Sequence, residues 1–375
     1  MKRFVIFTIS IILAAGLFGQ NNVTPQTLTT LSTTVNESSG LVNIDNAIWT
    51  HNDSGGLPCL YQIDSANGSI LRTVNIMNAS NVDWEDLAFD STYVYIGDFG
   101  NNSGSRTDLK VYRILRSALA TSNTVQAETI NFSYSDQTSW VPSPNATDFD
   151  CESFISYQGS LYLFSKDWVD HKTRMYQLIS IPGTRVAQYQ STFDALGLIT
   201  AAEMLPNNVL VLQAYTATIN PYTWLFQQFT GTNFFAGTST KLTWSGFIQT
   251  EGVCFADTNG VFVSSEKLGF PFNAPASLFY LDLSPFFITP PPNGIRQNPD
   301  HFKVFADPVN IYIKRDFQAM VPATIIIINS IGQTLKIIND FLGTELRIPI
   351  TFGKGIYLVN IHTSKGVYTG KIMIP

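Results

Sequence analysis

Glu85-Asp86-Leu87-Ala88, followed after a short turn by the alternating run Tyr93–Gly97, is one of five copies of a single pattern. The others open at Glu37-Ser38-Ser39-Gly40-Leu41, Glu152-Ser153-Phe154-Ile155, Glu203-Met204-Leu205 and Glu251-Gly252-Val253-Cys254-Phe255. Each has an acid, one or two small or polar residues, then hydrophobics. Each leads into an apolar alternating run: Ala47–Thr50, Ser160–Ser165, Asn208–Gln213 and Gly260–Ser264 in the other four. Period-two alternation is the mark of a half-buried strand. Further strand-like runs follow, such as Cys59–Ile63, Lys110–Ile114, Arg174–Ile179, Tyr222–Phe226 and Ser277–Leu281. The acids are spaced by 48, 67, 51 and 48 residues, close to the ~40–50 of a four-stranded propeller blade. No segment sustains a helical period. The expectation is an all-β protein whose main domain is a β-propeller of five blades. The 67-residue gap leaves room for a sixth, and a β-sandwich array is the alternative. Val23–Leu31 would supply the last blade's fourth strand and close the ring, removing exposed sheet edges.

Working outward, Phe286 begins a linker over 286–298, stiffened by three consecutive prolines that forbid a regular element. It divides a main domain at 22–285 from a C-terminal domain at 299–375. At the other end, Lys2 and Arg3 precede the apolar run Phe4–Phe18 and small or polar residues to Asn21. That is a signal peptide over 1–19, too short for a membrane span. No other run is long enough to cross a bilayer as a helix.

Composition narrows the function classes. The net charge is −6 with no Lys/Arg run, which argues against nucleic acid or an anionic membrane as partner. Cys59, Cys151 and Cys254 allow one disulfide at most, and three buried thiols are the plainer expectation. There is no Gly-x-Ser-x-Gly elbow and no zinc-type spacing of His or Cys. Of four histidines, only His51, near Asp53, could serve a Ser/His/Asp arrangement.

The repeated acids carry the strongest chemical signal. The innermost strand of each blade lines a propeller's channel, so Glu37, Glu85, Glu152, Glu203 and Glu251 are expected to converge at one mouth. The antiparallel second strand returns to the same face, bringing Asp53, Asp98, Asp167 and Glu266. Carboxylates so close cannot all stay ionised unless a cation neutralises them. Ca²⁺, which takes 6–8 oxygen ligands, suits such a cage. The expected metal ligands are the five glutamates and Asp98. His51, Asp53, Asn101, Arg106, Lys166, Asp167 and Glu266 are expected on the ligand-binding face. The Gly/Asn-rich turns at His51–Gly56 and Gly97–Asn102 mark that face as the functional one. The alternative is that the glutamates merely cap strand ends.

Two resemblances follow from these motifs. From Phe302 the chain reads as short strands with a turn at Ile331-Gly332-Gln333, the run Lys354-Gly355-Ile356-Tyr357-Leu358-Val359 and a terminal Lys371-Ile372-Met373-Ile374-Pro375. This resembles the type A C-terminal sorting domain of the Bacteroidetes type IX secretion system, with Ala306-Asp307-Pro308 where the family has Pro-Asn-Pro. The resemblance implies a small Ig-like β-sandwich, the secretion machinery as partner, and a cargo released or held at the outer-membrane surface. More loosely, the main domain resembles calcium-dependent propellers, the calcium-activated nucleotidases and phytase-like esterases, through Glu37-Ser38-Ser39-Gly40-Leu41 and Glu251-Gly252-Val253. That resemblance implies an axial calcium. The expected function is a calcium-stabilised module binding an extracellular ligand; the alternative is a calcium-dependent phosphoester hydrolase. Lys166, Arg106 and Lys267 are the only cations near the expected mouth, few for a polyphosphate.

Overall fold

The structure, a computed structural model, describes residues 21–288, 302–315, 322–329, 333–363 and 366–374. The signal peptide, the linker beyond Ile288 and Ile331-Gly332 of the turn motif lie outside the described residues. The chain divides into two compact units, Met1–Ile288 and Thr289–Pro375. No described helix is long and apolar enough to cross a membrane.

The first unit is nearly all strand. Ser38–Ile44, Ala47–Asn52, Cys59–Ile63 and Ile70–Ile76 form one antiparallel meander, edged by a parallel Thr124–Val125. Trp84–Phe89, Tyr93–Asp98, Lys110–Leu115 and Glu128–Tyr134 form a second. Cys151–Tyr157, Ser160–Ser165, Thr173–Ile179 and Gly183–Phe193 form a third. Parallel pairing of Glu128–Tyr134 with Gly183–Phe193 merges the second and third into an eight-stranded sheet. This is where the 67-residue spacing goes: into a join between sheets, a short helix at Arg116–Thr121 and the loop 135–150. Leu198–Met204, Leu210–Tyr215, Pro221–Gln227 and Thr238–Trp244 make the fourth meander. The fifth has Thr250–Phe255, Gly260–Ser265 and Ser277–Asp282, completed by Gln26–Thr30 from the chain's start.

The N-terminal run does not act as one strand. Asn21–Val23 pairs with Thr238–Trp244 of the fourth sheet, and only Gln26–Thr30 joins the fifth. Pro25 separates them, and a proline has no N–H for a ladder.

The first strands of the five meanders neighbour one another in a closed cycle: Ser38–Ile44 beside Trp84–Phe89, then Cys151–Tyr157, Leu198–Met204, Thr250–Phe255, and back to Ser38–Ile44. Hydrophobic clusters fill each gap between successive sheets. Val42 and Leu60 meet Leu87 and Ile96; Tyr95 and Val111 meet Phe154 and Leu163; Ile155 and Phe164 meet Ile199 and Leu212. Val211 and Leu225 meet Val253 and Val263, and Leu41 and Ile48 meet Cys254 and Leu278. The arrangement is propeller-like. All three cysteines are free and buried, Cys59 and Cys254 in one of these clusters and Cys151 in another.

The second unit has two sheets. Phe302–Ala306, Asn310–Arg315 and Glu345–Pro349 form one; Thr334–Phe341, Ala323–Asn329, Gly355–Thr363 and Gly366–Ile374 form the other. They share one core, with Ile311, Ile313 and Ile348 facing Ile325, Ile327, Val359 and Ile361. Asp307 accepts hydrogen bonds from the Val309 and Asn310 amides (2.7 and 2.6 Å), turning the chain across Pro308.

Candidate metal and ligand site

The site is built by a repeated backbone irregularity. In all five inner strands the pairing with the second strand slips near its start: after Ser38, Trp84, Cys151, Ile199 and Thr250. A bulge leaves a residue unpaired and re-aims its side chain. The residues just past these points are Ser39, Glu85, Glu152, Thr200 and Glu251. Three are acids. The other two tie neighbouring strands together: Ser39 Oγ donates to the Glu85 carbonyl (2.5 Å) and Thr200 Oγ1 to that of Thr250 (2.6 Å).

This frame corrects two of the expected ligands. Glu37 lies two residues before the equivalent position and its side chain is exposed; its carbonyl accepts from the Asp53 amide (2.9 Å). Glu203 sits near the far end of its strand, beside a separate cavity of about 90 Å³ lined by Leu87, Phe154 and Ile155. Burial pushes its carboxyl up to about 8.

A cavity of about 320 Å³ opens at the bulged ends, with Glu85, Glu152 and Glu251 all on its wall. On one side, a carboxylate oxygen from each of Asp53, Asp83 and Glu85 lies within 4.8 Å of the others. Asp53 follows the second strand of the first sheet; Asp83 and Glu85 flank Trp84. Asn81 holds the two segments in register: its Nδ2 donates to the carbonyls of Asn52 (2.9 Å) and Asp53 (2.7 Å), and its Oδ1 accepts from the Trp84 amide (3.1 Å). Gly100 closes the cradle from below. A Cβ there would lie 2.0 Å from Glu85 Oε1 and 2.5 Å from Asp83 Oδ2.

Burial pushes the Asp53 carboxyl up to about 6. Burial, helped by the charge of Asp53, takes Asp83 to about 7. Glu85 is raised well above the usual range by burial and then by Asp53, Glu152 and Asp83. These are acids held together without a cation of their own, which is the electrostatic condition for holding a hard divalent ion.

The opposite wall is different. Lys166 Nζ lies 2.5 Å from both carboxylate oxygens of Glu152, and both side chains are almost fully buried. The ammonium also sits over the rings of Trp168 (5.1 Å) and Tyr215 (5.3 Å). Burial works against its charge, but Glu152 and its neighbours keep it protonated, with its pKa raised. Beside this pair, Glu251 and Glu266 are each raised to about 8 by burial, and Gln249 Nε2 donates to Glu266 (2.7 Å). The amide side chains of Asn102 and Asn145 complete the wall.

Several expected site residues shape this cavity without lining it. Asp98 is paired with Arg106 (2.9 Å) and Lys110 (3.7 Å), and its Oδ1 accepts from the Asp83 amide (3.2 Å). It therefore orients a cradle carboxylate, and its own charge is already neutralised. Arg106 also donates to the Gly100 carbonyl (2.8 Å), and its amide donates to Asn101 Oδ1 (2.9 Å). The Asn101 amide donates to the buried Asp150 (2.7 Å), which also accepts from Trp168 Nε1 (2.7 Å). Asp167 is buried and paired with Arg174, and it accepts from the Val169 amide (3.0 Å). His51 is fully buried edge-on against Trp84, and its Nδ1 donates to the Asn52 carbonyl (2.9 Å). Burial lowers its pKa to about 4, so it is neutral and removed from the cavity.

Asp83 and Asp86 are not among the expected site residues, although both belong to the acid-rich segment Asp83-Trp84-Glu85-Asp86-Leu87-Ala88. Asp86 is fully buried and accepts from the amides of Leu87 (2.8 Å), Phe154 (3.1 Å) and Ala202 (3.4 Å), stitching three inner strands. Both acids stand within Asp83-Trp84-Glu85-Asp86. The density of acids there was the available signal.

No family model matches the chain, and no curated protein matches it. Among solved structures, it is similar to an exo-β-1,3-galactanase from Phanerochaete chrysosporium. A variant with β-1,3-galactotriose has 9% identity over 94% of this chain and 98% of that one, with a TM-score of 0.47. The same enzyme with galactose has 9% identity over 94% and 99%, with a TM-score of 0.43.

Proposed function

We infer that this protein is a calcium-stabilised ligand-binding module, a five-bladed β-propeller delivered outside the cell as cargo of type IX secretion. The observation that carries the binding function is the cradle: three carboxylates from two sheets, converging within 4.8 Å, over a glycine that leaves no room for a side chain. Asp53, Asp83 and Glu85 would supply oxygens of the kind calcium prefers, and the cavity beyond them would receive the ligand. Five meanders cycling about the inner strands support the blade count. The two-sheet C-terminal unit, with Gly355–Val359 opening its strand Gly355–Thr363, supports the sorting-domain reading, under which the protein would lie at the outer-membrane surface or in the medium. Turnover of phosphate esters is the less favoured reading. Among the described residues, the one cation on the cavity wall, Lys166, is engaged with Glu152, so a polyanion would meet mostly carboxylates.

Calorimetric titration of the mature chain with Ca²⁺ tests the reading. One site, lost in Asp83→Asn, is expected. Absence of binding, or unchanged binding in that variant, would remove the cation from the account. A phosphoester panel with and without Ca²⁺ separates binding from turnover.

A further inference from the structure

A second concavity of about 230 Å³ adjoins the mouth. Only a ridge of two loop segments separates them. Asn102 and Asn145 face the mouth, while their chain neighbours Ser103 and Ala146 line the groove. Backbone bonds lock the ridge: Asn145 N to Asn102 O (2.8 Å) and Ser143 N to Ser103 O (2.9 Å). The groove has two kinds of wall. Ser103, Ser139, Ser143 and Thr147 bring hydroxyls, and Val141 and Val169 bring apolar surface that is 76% and 61% exposed. Ser139 Oγ and Thr147 Oγ1 accept from main-chain amides (3.4 and 3.1 Å), which leaves each hydroxyl proton available to donate. Asp148, on the same wall, spends one oxygen on Arg174 (3.2 Å), while its buried Oδ1 has no hydrogen-bond partner. A buried acceptor left unpaired calls for a donor.

We propose that mouth and groove are adjacent subsites for a neutral, hydroxyl-rich chain, an oligosaccharide of at least two units, with one unit at the cation and the next in the groove. This rests on the cation reading above. A dication on Asp53, Asp83 and Glu85 offsets most of their charge. Lys166 cancels Glu152, and burial raises the Glu251 and Glu266 carboxyls towards their neutral form. The loaded mouth is therefore close to neutral, favouring neither a polyanion nor a polycation. A bound calcium takes oxygen ligands, and neighbouring hydroxyls of a sugar supply them. Sugar rings have a polar edge and apolar C–H faces, which match the hydroxyls of Ser103, Ser139, Ser143 and Thr147 and the valines of the groove.

The test uses the mature full-length protein, its Ser143→Trp variant, which fills the groove, and Asp83→Asn. Each is titrated with Ca²⁺ alone. Each is then offered, with Ca²⁺, an array of neutral mono- and oligosaccharides, inorganic phosphate and oligolysine. The expected result is calcium-dependent binding of a neutral oligosaccharide, weakened about tenfold or more in Ser143→Trp and lost in Asp83→Asn. Calcium binding by Ser143→Trp should match that of the natural protein, which also reports that the variant folds. Calcium binding with no saccharide bound, binding of oligolysine or phosphate only, or equal oligosaccharide affinity in Ser143→Trp would each overturn the proposal and leave the cation reading standing. No calcium binding by the natural protein would overturn both.

Discussion

Gly100 lies so close beneath Glu85 that a single added Cβ would stand 2.0 Å from Glu85 Oε1. The contact is with the far end of a flexible side chain, so a methyl here would displace the carboxylates of Glu85 and Asp83 rather than the fold. Gly100→Ala is therefore expected to weaken Ca²⁺ binding about tenfold or more while changing the melting temperature in chelator by little. Calorimetry and a thermal melt read the two effects separately. A large loss of stability in chelator with intact affinity would make Gly100 a structural glycine only.

Calcium should raise the melting temperature of the natural protein. A ligand at a hundredfold above its dissociation constant, binding only the folded state, stabilises by about 2.7 kcal/mol. Glu85→Gln should abolish most of the rise. In chelator the same substitution should be neutral or stabilising, because Glu85 is surrounded by Asp53, Glu152 and Asp83. Simple destabilisation in both conditions would show the glutamate to be a structural cap.

The pH dependence has a definite sign. Burial raises the folded-state pKa values of Asp53 and Asp83 to about 6 and about 7, well above the ordinary aspartate value of 3.8. For acids shifted this way, the folded state holds more protons than the unfolded one between these limits. Their contribution to stability is fully present below about pH 4 and is lost as pH rises through 6 and 7. In chelator, these two groups should make stability fall from pH 5 to 8. With saturating Ca²⁺, which binds the ionised carboxylates, the fall should flatten, so the calcium-induced rise in melting temperature is larger at pH 8 than at pH 5. Urea melts at several pH values, with and without Ca²⁺, check this.

Lys166→Met should be costly. It would leave Glu152 buried among Glu251, Asp150 and Glu85 without its ammonium. Breaking one half of a buried pair costs about 3–5 kcal/mol. The double variant Lys166→Met, Glu152→Gln should recover a good part of this in urea denaturation, since no charge is stranded. Equal losses in single and double variants would mean that lost packing on Trp168 and Tyr215 dominates.

Deleting residues 299–375 should leave the protein in the periplasm of a type IX-secreting host, with calcium binding retained in the first unit. Finding the truncated chain outside the cell would reject the sorting-signal reading.

The repeated pattern of acid, small residues and alternating apolar run placed four of the five inner strands, because alternation and burial are local consequences of side-chain type; at Glu203 it begins where the strand Leu198–Met204 ends. Of the five repeated acids, Glu85, Glu152 and Glu251 reach the cavity wall. The pattern failed at Glu37 and Glu203 because the feature that aims a side chain into the mouth is the bulge, and a bulge is a mismatch between two paired strands. Ser39 and Thr200 hold those bulged positions without an acid, so a search for acids slid two residues early in one strand and to the far end of the other. Asp98, expected as a metal ligand, and Asp167, expected on the ligand-binding face, are instead paired with Arg106 and Arg174 across a turn. His51 stands beside polar residues in sequence yet lies against Trp84 of the neighbouring sheet. The sequence alone determined the strand content, the two-unit division and the wealth of acid at one end of the inner strands. Only the tertiary structure decided which acids converge, because convergence depends on register between strands and on cations brought from other loops.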